Sequence, residues 1–293
     1  MANEKFSHSK LQTFEQCKLK YKLKYIDKIK PEIEKTIEAH LGEVVHDTLE
    51  WLYKNILKKI KPSIDETITF FSESWQEKYT PDILIVKEEL TDKDYFNKGV
   101  QFILDYYLKH QPFDDNTLEL EKMISIKLGE EQHELIGFID RLSHNPKTNE
   151  YEIHDYKTSS TLPSQEKIDT DRQLALYSIA IKEQFGKEKE VCLIWHYLNF
   201  DKRICSRRTE EQIEQLKKEI LSIINQIKSE KQFLHNKSKL CDWCEYRPIC
   251  PAWQKEIKQY EEGNAFYPEE EIKKDKQSSL DKYPPIKNYL KDN

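Results

Sequence analysis

Two short stretches constrain this chain more than any others: Gly137-Phe138-Ile139-Asp140-Arg141 and Glu152-Ile153-His154-Asp155-Tyr156-Lys157-Thr158. In both, apolar and polar residues alternate among β-branched and aromatic neighbours, the two-residue period of a strand. The first strand is predicted over about Leu135 to Leu142, with Asp140 near its end. Between the two lies His144-Asn145-Pro146-Lys147-Thr148-Asn149, which is turn chemistry. The pair therefore reads as a hairpin that brings Asp140 close to Asp155. Side chains two apart on a strand share a face, so Lys157 stands beside Asp155.

Two carboxylates and an ammonium at one point suit a hard divalent cation. Mg²⁺ prefers oxygen ligands and keeps several waters. Such a cation neutralises phosphate charge and lowers the pKa of bound water. Lys157 could hold that water, or help deprotonate it provided burial and the metal lower the amine's own pKa. The same spacing also fits an exposed hairpin with an ordinary surface ion pair, and spacing alone does not choose.

The flanking sequence supplies helices. Ser7 to Lys30 is predicted as one helix, with Leu11, Phe14, Leu19, Leu23 and Ile26 recurring at helical spacing and Cys17 inside it. Thr36 to Ile60 is a second, with His46 beside its apolar stripe. Ser63 to Tyr79 and Lys93 to His110 carry aromatic anchors and form a helical insertion, about 61–115. Leu118 to Leu128 is predicted as a strand with Leu118, Leu120, Ile124, Ile126 and Leu128 on one face. Glu121 then falls on the opposite face, outside the site. After a polar link at 159–169, expected to be mobile, Asp171 to Phe185 is a helix that sets Gln173 and Tyr177 on one face. Val191 to Leu198 and Arg203 to Arg208 are strands, and Glu210 to Phe233 a long amphipathic helix. The chain turns polar from Glu261 onward, so 261–293 reads as a loosely ordered tail.

Composition narrows the class. Charged residues are 34% and the net charge is −6, mild evidence against a nucleic-acid binder taken globally. Locally, Lys18 to Lys35 is lysine-rich and interleaved with Tyr21 and Tyr25, either a phosphate-attracting surface or a solvated helix face. No apolar run reaches the ~18 residues of a membrane span. The N-terminus lacks a signal peptide's apolar core, so a cytoplasmic location is expected. Without an export signal, the six cysteines read as metal ligands or buried thiols. Cys241, Cys244 and Cys250 form a C-x₂-C-x₅-C array, with Cys17 the candidate fourth ligand. Spacing alone permits Zn²⁺ or an iron–sulfur cluster. Cys192 and Cys205 sit in strands and read as packing residues.

Four motifs stand in order: Gly42-Glu43-Val44-Val45-His46, Gly137 to Arg141, Asp155-Tyr156-Lys157-Thr158, and Gln173-Leu174-Ala175-Leu176-Tyr177. The pattern G-x-x-x-H, G-x-x-D-R, D-Y-K-T, Q-x-x-x-Y resembles the RecB-like branch of the PD-(D/E)xK nucleases, from about Ser7 to Trp253. The resemblance implies an α/β fold, a mixed central sheet flanked by helices, within a nuclease domain spanning 1–260. It implies a Mg²⁺ or Mn²⁺ ion held by His46, Asp140, Asp155 and the carbonyl of Tyr156. Lys157 would activate water, and Gln173 and Tyr177 would position substrate or water. A cysteine before the core and three after it resemble the iron–sulfur members, AddB-type and CRISPR-adaptation nucleases. That implies a [4Fe–4S] cluster on Cys17, Cys241, Cys244 and Cys250, although Lys18 stands where many relatives have Pro. The resemblance implies DNA hydrolysis, with single strands or duplex ends as targets cut as an exonuclease does, in DNA repair, recombination or CRISPR adaptation. No P-loop is present, so any helicase motor must be a partner. Two other readings are a catalytically silent DNA-binding subunit and a zinc-stapled interaction module.

Overall fold

The computed structural model describes residues 5–253 apart from 32, 34 and 132. The expected tail at 261–293 lies outside them. The sheet is mixed and six-stranded. Strands β2 (Thr117–Leu128), β3 (His133–Asn145) and β4 (Glu150–Lys157) form an antiparallel meander. The chain then crosses through α6 (Gln165–Asp169) and α7 (Gln173–Phe185) to β5 (Val191–Tyr197), parallel to β4. The edge strand β6 (Lys202–Ser206) returns antiparallel. This is the mixed α/β architecture that the order of motifs implies.

A short strand not foreseen from periodicity, β1 (Lys5–Phe6), pairs in parallel with Glu134 and Leu135 of β3. Because β2 covers one edge of β3, β1 and β4 share the other. The first holds its beginning, and the second takes over from Arg141. The C-terminal ends of β1 and β4 therefore point toward each other along one edge.

Two cores flank the sheet. One joins Ile139, Ile153 and Leu193 to α1 (His8–Gln16), α7 and α8 (Glu210–Ser229) through Leu11, Phe14, Leu174, Ile220 and Ile224. The other joins α3 (Ile37–Leu57), α4 (Ile64–Lys78) and α5 (Asp92–His110) through Val44, Leu49, Phe71, Trp75 and Tyr106, and takes in Tyr156. Among the described residues no helix is long and apolar enough to cross a membrane.

Three expectations are corrected. Along β2, Ile124, Ile126 and Leu128 enter the first core, but Leu120 packs against the second. The alternation slips at Glu121, whose φ is 45°. On β3, Ile139 and Leu142 enter the same core although three residues apart. Such local irregularities re-aim side chains and recur beside active sites.

The helix expected from Ser7 to Lys30 breaks at Cys17, which is extended at φ −159° and separates α1 from α2 (Lys18–Tyr21) and a π-helical stretch, Lys22–Ile26. Main-chain groups freed by the break find partners in the C-terminal loop. Leu19 N donates to Leu234 O at 3.2 Å, and Asn236 Nδ2 to Gln16 O at 3.0 Å. The lysines here are internally paired: Lys20 and Lys24 with Glu245 at 2.7 and 3.3 Å, Lys22 with Asp27, and Lys18 with Glu230. These four pairs tie the segment to carboxylates within the chain. The link at 159–169, expected to be mobile, is anchored by α6, where Ile168 is 2% exposed.

Candidate active site

Strand β4 delivers Ile153 into the first core, and the same period sets Asp155 and Lys157 at the strand's end. Asp155 is 3% exposed. Lys157 Nζ lies 2.7 Å from its Oδ2 and donates to its Oδ1 at 3.0 Å. It also donates to Gln173 Oε1 at 3.1 Å. Burial pushes the Asp155 carboxyl up to about 6, with Asp140 adding to the rise and Lys157 opposing it. Burial alone would lower the Lys157 amine, yet the charge and hydrogen bond of Asp155 carry it above the ordinary lysine value. The neighbouring carboxylate thus favours the ammonium form of the amine.

Helix α3 brings His46 to the other side of the hairpin. His46 Nε2 donates to Tyr156 O at 2.7 Å, while Nδ1 lies 3.3 Å from Asp140 Oδ2. That same oxygen accepts from Tyr156 N at 3.1 Å. Burial opposes charging the ring, but the hydrogen bond and charge of Asp140, helped by Asp155, raise it to about 9. Asp140 thus favours the charged ring, with Nε2 on the Tyr156 carbonyl and Nδ1 facing the carboxylate.

Helix α7 closes the site. Tyr177, 8% exposed, hydrogen-bonds Gln173 and lies against Gly137. A Cβ on Gly137 would come within 2.4 Å of the tyrosine ring, so the first glycine of G-x-x-D-R is there for close approach. The structure thus brings His46, Asp140, Asp155, Tyr156, Lys157, Gln173 and Tyr177 together.

Could this place hold a divalent cation? Among the described residues no three His, Cys, Asp or Glu side chains converge closely enough to hold a metal ion as they stand. The donors nevertheless fit one. Asp140, Asp155 and the Tyr156 carbonyl are hard oxygen donors. Asp155 Oδ2 is sealed from solvent and has no hydrogen bond, only the nearby Lys157 charge.

Sequence reasoning missed Glu121, Asp115 and Tyr53, and gave Arg141 no role beyond its place in the motif. Glu121 lies between the Leu120–Arg141 and Lys122–Ile139 pairs, across from Asp140. Its carboxyl is pushed up to about 7 by partial burial and by Asp140 and Glu50, although solvent still reaches the side chain. Periodicity had put it on the wrong face because the alternation slips there. Arg141 is 1% exposed and stands behind the site. It donates from Nε to Tyr156 Oη at 2.9 Å, pairs with Asp115, and lies 4.2 Å over the Tyr53 ring. Asp115 and Tyr53 carried no signal in sequence.

At the far end of α1, Cys17, Cys241, Cys244 and Cys250 line one cavity of about 50 Å³, together with Lys20, His235 and Trp253. All four are free thiols, and burial pushes that of Cys244 up. Cys192 is buried and touches Cys205, consistent with packing.

A model of the PD-(D/E)XK nuclease superfamily matches residues 5–251. The comparison with curated proteins gave no match. Among solved structures, the chain is similar to a protein from Eubacterium rectale provisionally named as an exonuclease, at 14% identity over 83% of this chain and 88% of that one, with a TM-score of 0.48. It is also similar to SSO0001, at 16% identity over 72% of this chain and 85% of that one, with a TM-score of 0.34. The family match covers most of the sequence and contains every residue of the hairpin site: the chain belongs to the PD-(D/E)XK nuclease superfamily.

Proposed function

We propose that this nuclease is a Mg²⁺- or Mn²⁺-dependent deoxyribonuclease that cuts single strands from an end. The observation that carries the reading is the hairpin constellation: His46 on Asp140 and the Tyr156 carbonyl, and Lys157 between Asp155 and Gln173. Asp140, Asp155, the Tyr156 carbonyl and a deprotonated His46 would hold the cation. When bound, it supplies charge neutralisation at the phosphate and a more acidic water. Lys157 contributes a fixed ammonium that orients the attacking water and offers charge to the phosphate oxygens. Gln173 fixes the direction of that ammonium, and Tyr177 fixes Gln173.

In the same reading the four cysteines hold a [4Fe–4S] cluster that staples α1 to the C-terminal loop. What supports it is their shared cavity. Zinc is the alternative occupant, and the two differ in colour: a cluster absorbs near roughly 400 nm and zinc does not. A helicase or adaptation-complex subunit would supply any motor activity.

The deciding experiment incubates the purified protein with end-labelled single-stranded and duplex oligodeoxynucleotides, with and without Mn²⁺ or Mg²⁺. The expected result is metal-dependent shortening of the single strand from one end. Absence of cleavage with either metal, by protein that has its cysteine site loaded, overturns the reading.

A further inference from the structure

The head-to-head meeting of β1 and β4 on one edge of β3 has a chemical consequence at His8. The Lys5–Glu134 and Phe6–Leu135 pairs place the following residues beside Ile136 and Gly137. From the opposite direction, the Arg141–His154 pair carries β4 down the same edge to Asp155 and Lys157. Both chains leave the sheet there, one into α1 and the other into the loop at 158–164. Ligands of open α/β sheets bind where neighbouring chains diverge at strand ends. His8 is the first residue of α1, so continuing the two registers brings its backbone toward Gly137, over which Tyr177 lies, and toward the end of β4. The charged groups that act on it are Asp171, Arg172, Lys157 and Glu15. Arg172 is itself tied to Glu15, which joins the start of α7 to α1.

The ring is held in one tautomer. His8 Nδ1 is sealed from solvent and has no hydrogen-bond partner. A buried N–H with no acceptor is strongly disfavoured, whereas a buried lone pair is tolerated better. The proton therefore sits on Nε2, for which no partner exists among the described residues. Burial also lowers the ring's pKa, so it stays neutral. The outcome is a neutral N–H donor at the end of the sheet edge toward which β4 carries Lys157.

We propose that His8 is a substrate-binding residue of the nuclease centre, its Nε2–H donating to a non-bridging oxygen of a phosphodiester in the DNA strand. This rests on the nuclease reading of the hairpin site. The donor is uncharged, so it selects an anionic oxygen by direction rather than by charge and leaves charge neutralisation to Lys157 and the cation.

The test measures affinity for a single-stranded oligodeoxynucleotide in Ca²⁺, by fluorescence anisotropy, with one methylphosphonate walked along the strand linkage by linkage. For the wild type, one linkage should weaken binding about tenfold when its anionic oxygen is lost, the size of one hydrogen bond to a charged acceptor. His8→Ala should bind the unmodified strand about tenfold more weakly and should lose markedly less than the wild type at that linkage, the remaining loss being the share of Lys157 and the cation. His8→Gln, whose side-chain amide can reach the Nε2 position, should recover part of the loss. Circular dichroism and melting temperature monitor folding of each variant. Full sensitivity to the same methylphosphonate in His8→Ala overturns the proposal, as does unchanged affinity of that variant, while metal-dependent cleavage by the wild type would leave the nuclease reading standing. Wild-type protein that neither binds nor cleaves DNA would overturn both.

Discussion

Replacing Gly137 by alanine isolates the contact on which the site is built. The added Cβ would stand 2.4 Å from Tyr177 Cε1, 2.8 Å from Cζ and 2.9 Å from Oη. Ordinary contact begins at 3.4 Å, so the ring must retreat by 1.0 Å, the difference of the two distances. Gly137 is not among the glycines with positive φ, so the cost is steric and not one of backbone strain. The ring is 8% exposed and packed on α7, and cannot swing into solvent. Overpacking of this kind costs about 1–3 kcal/mol. The retreat also pulls on Gln173, and through it on Lys157. Urea unfolding should show that loss, and kcat for single-strand cleavage should fall at least tenfold with little change in KM. In a Tyr177→Leu background the ring is gone, and Gly137→Ala should then cost under about 0.5 kcal/mol, because the two positions couple directly. Equal cost in both backgrounds would refute the reasoning.

Other outcomes follow from the same structure. Lys157→Ala should abolish metal-dependent cleavage while circular dichroism shows the fold retained; retained cleavage would remove the ammonium from the mechanism. Cys17→Ala should lose iron, measured by elemental analysis, together with the absorption near roughly 400 nm, and full iron retention would exclude Cys17 as a ligand. Stability should fall as pH drops from about 6.5 toward 4. Fully buried His40 has its pKa lowered by burial from 6.5 to about 4. Over that window the unfolded ring takes up a proton that the folded ring refuses, so the folded state loses about 3 kcal/mol and the effect is absent above pH 7. Urea midpoints at pH 7.5, 6 and 5 check this, and a His40→Phe variant should show a shallower decline than the wild type.

The hairpin was legible because alternation, turn chemistry and motif spacing all pointed the same way between Gly137 and Thr158. Helix α7 was legible for a similar reason, since a four-residue interval necessarily aligns Gln173 with Tyr177. Where the sequence misled, a non-local contact had overridden a local pattern. The slip at Glu121 depends on the opposing strand and inverts the face on which that glutamate lies. The break at Cys17 contains no glycine or proline, and becomes intelligible only with Leu234 and Asn236 beside it. The lysines between 18 and 24 look like a phosphate surface until Glu230 and Glu245 arrive from the other end of the chain. His8 gave no signal at all, because its meaning lies in the two-residue strand before it.

The way α1 and α2 are fastened sets an order of events during synthesis. Their polar partners, Glu230, Leu234, Asn236 and Glu245, are made some two hundred residues later, and Tyr246 Oη closes onto Ile29 O at 2.9 Å. At ribosomal speed that interval is roughly 10–40 s. These ties to the first helical segments thus form late, and a premature stop before residue 230 would leave Lys18, Lys20 and Lys24 without the carboxylates that match them.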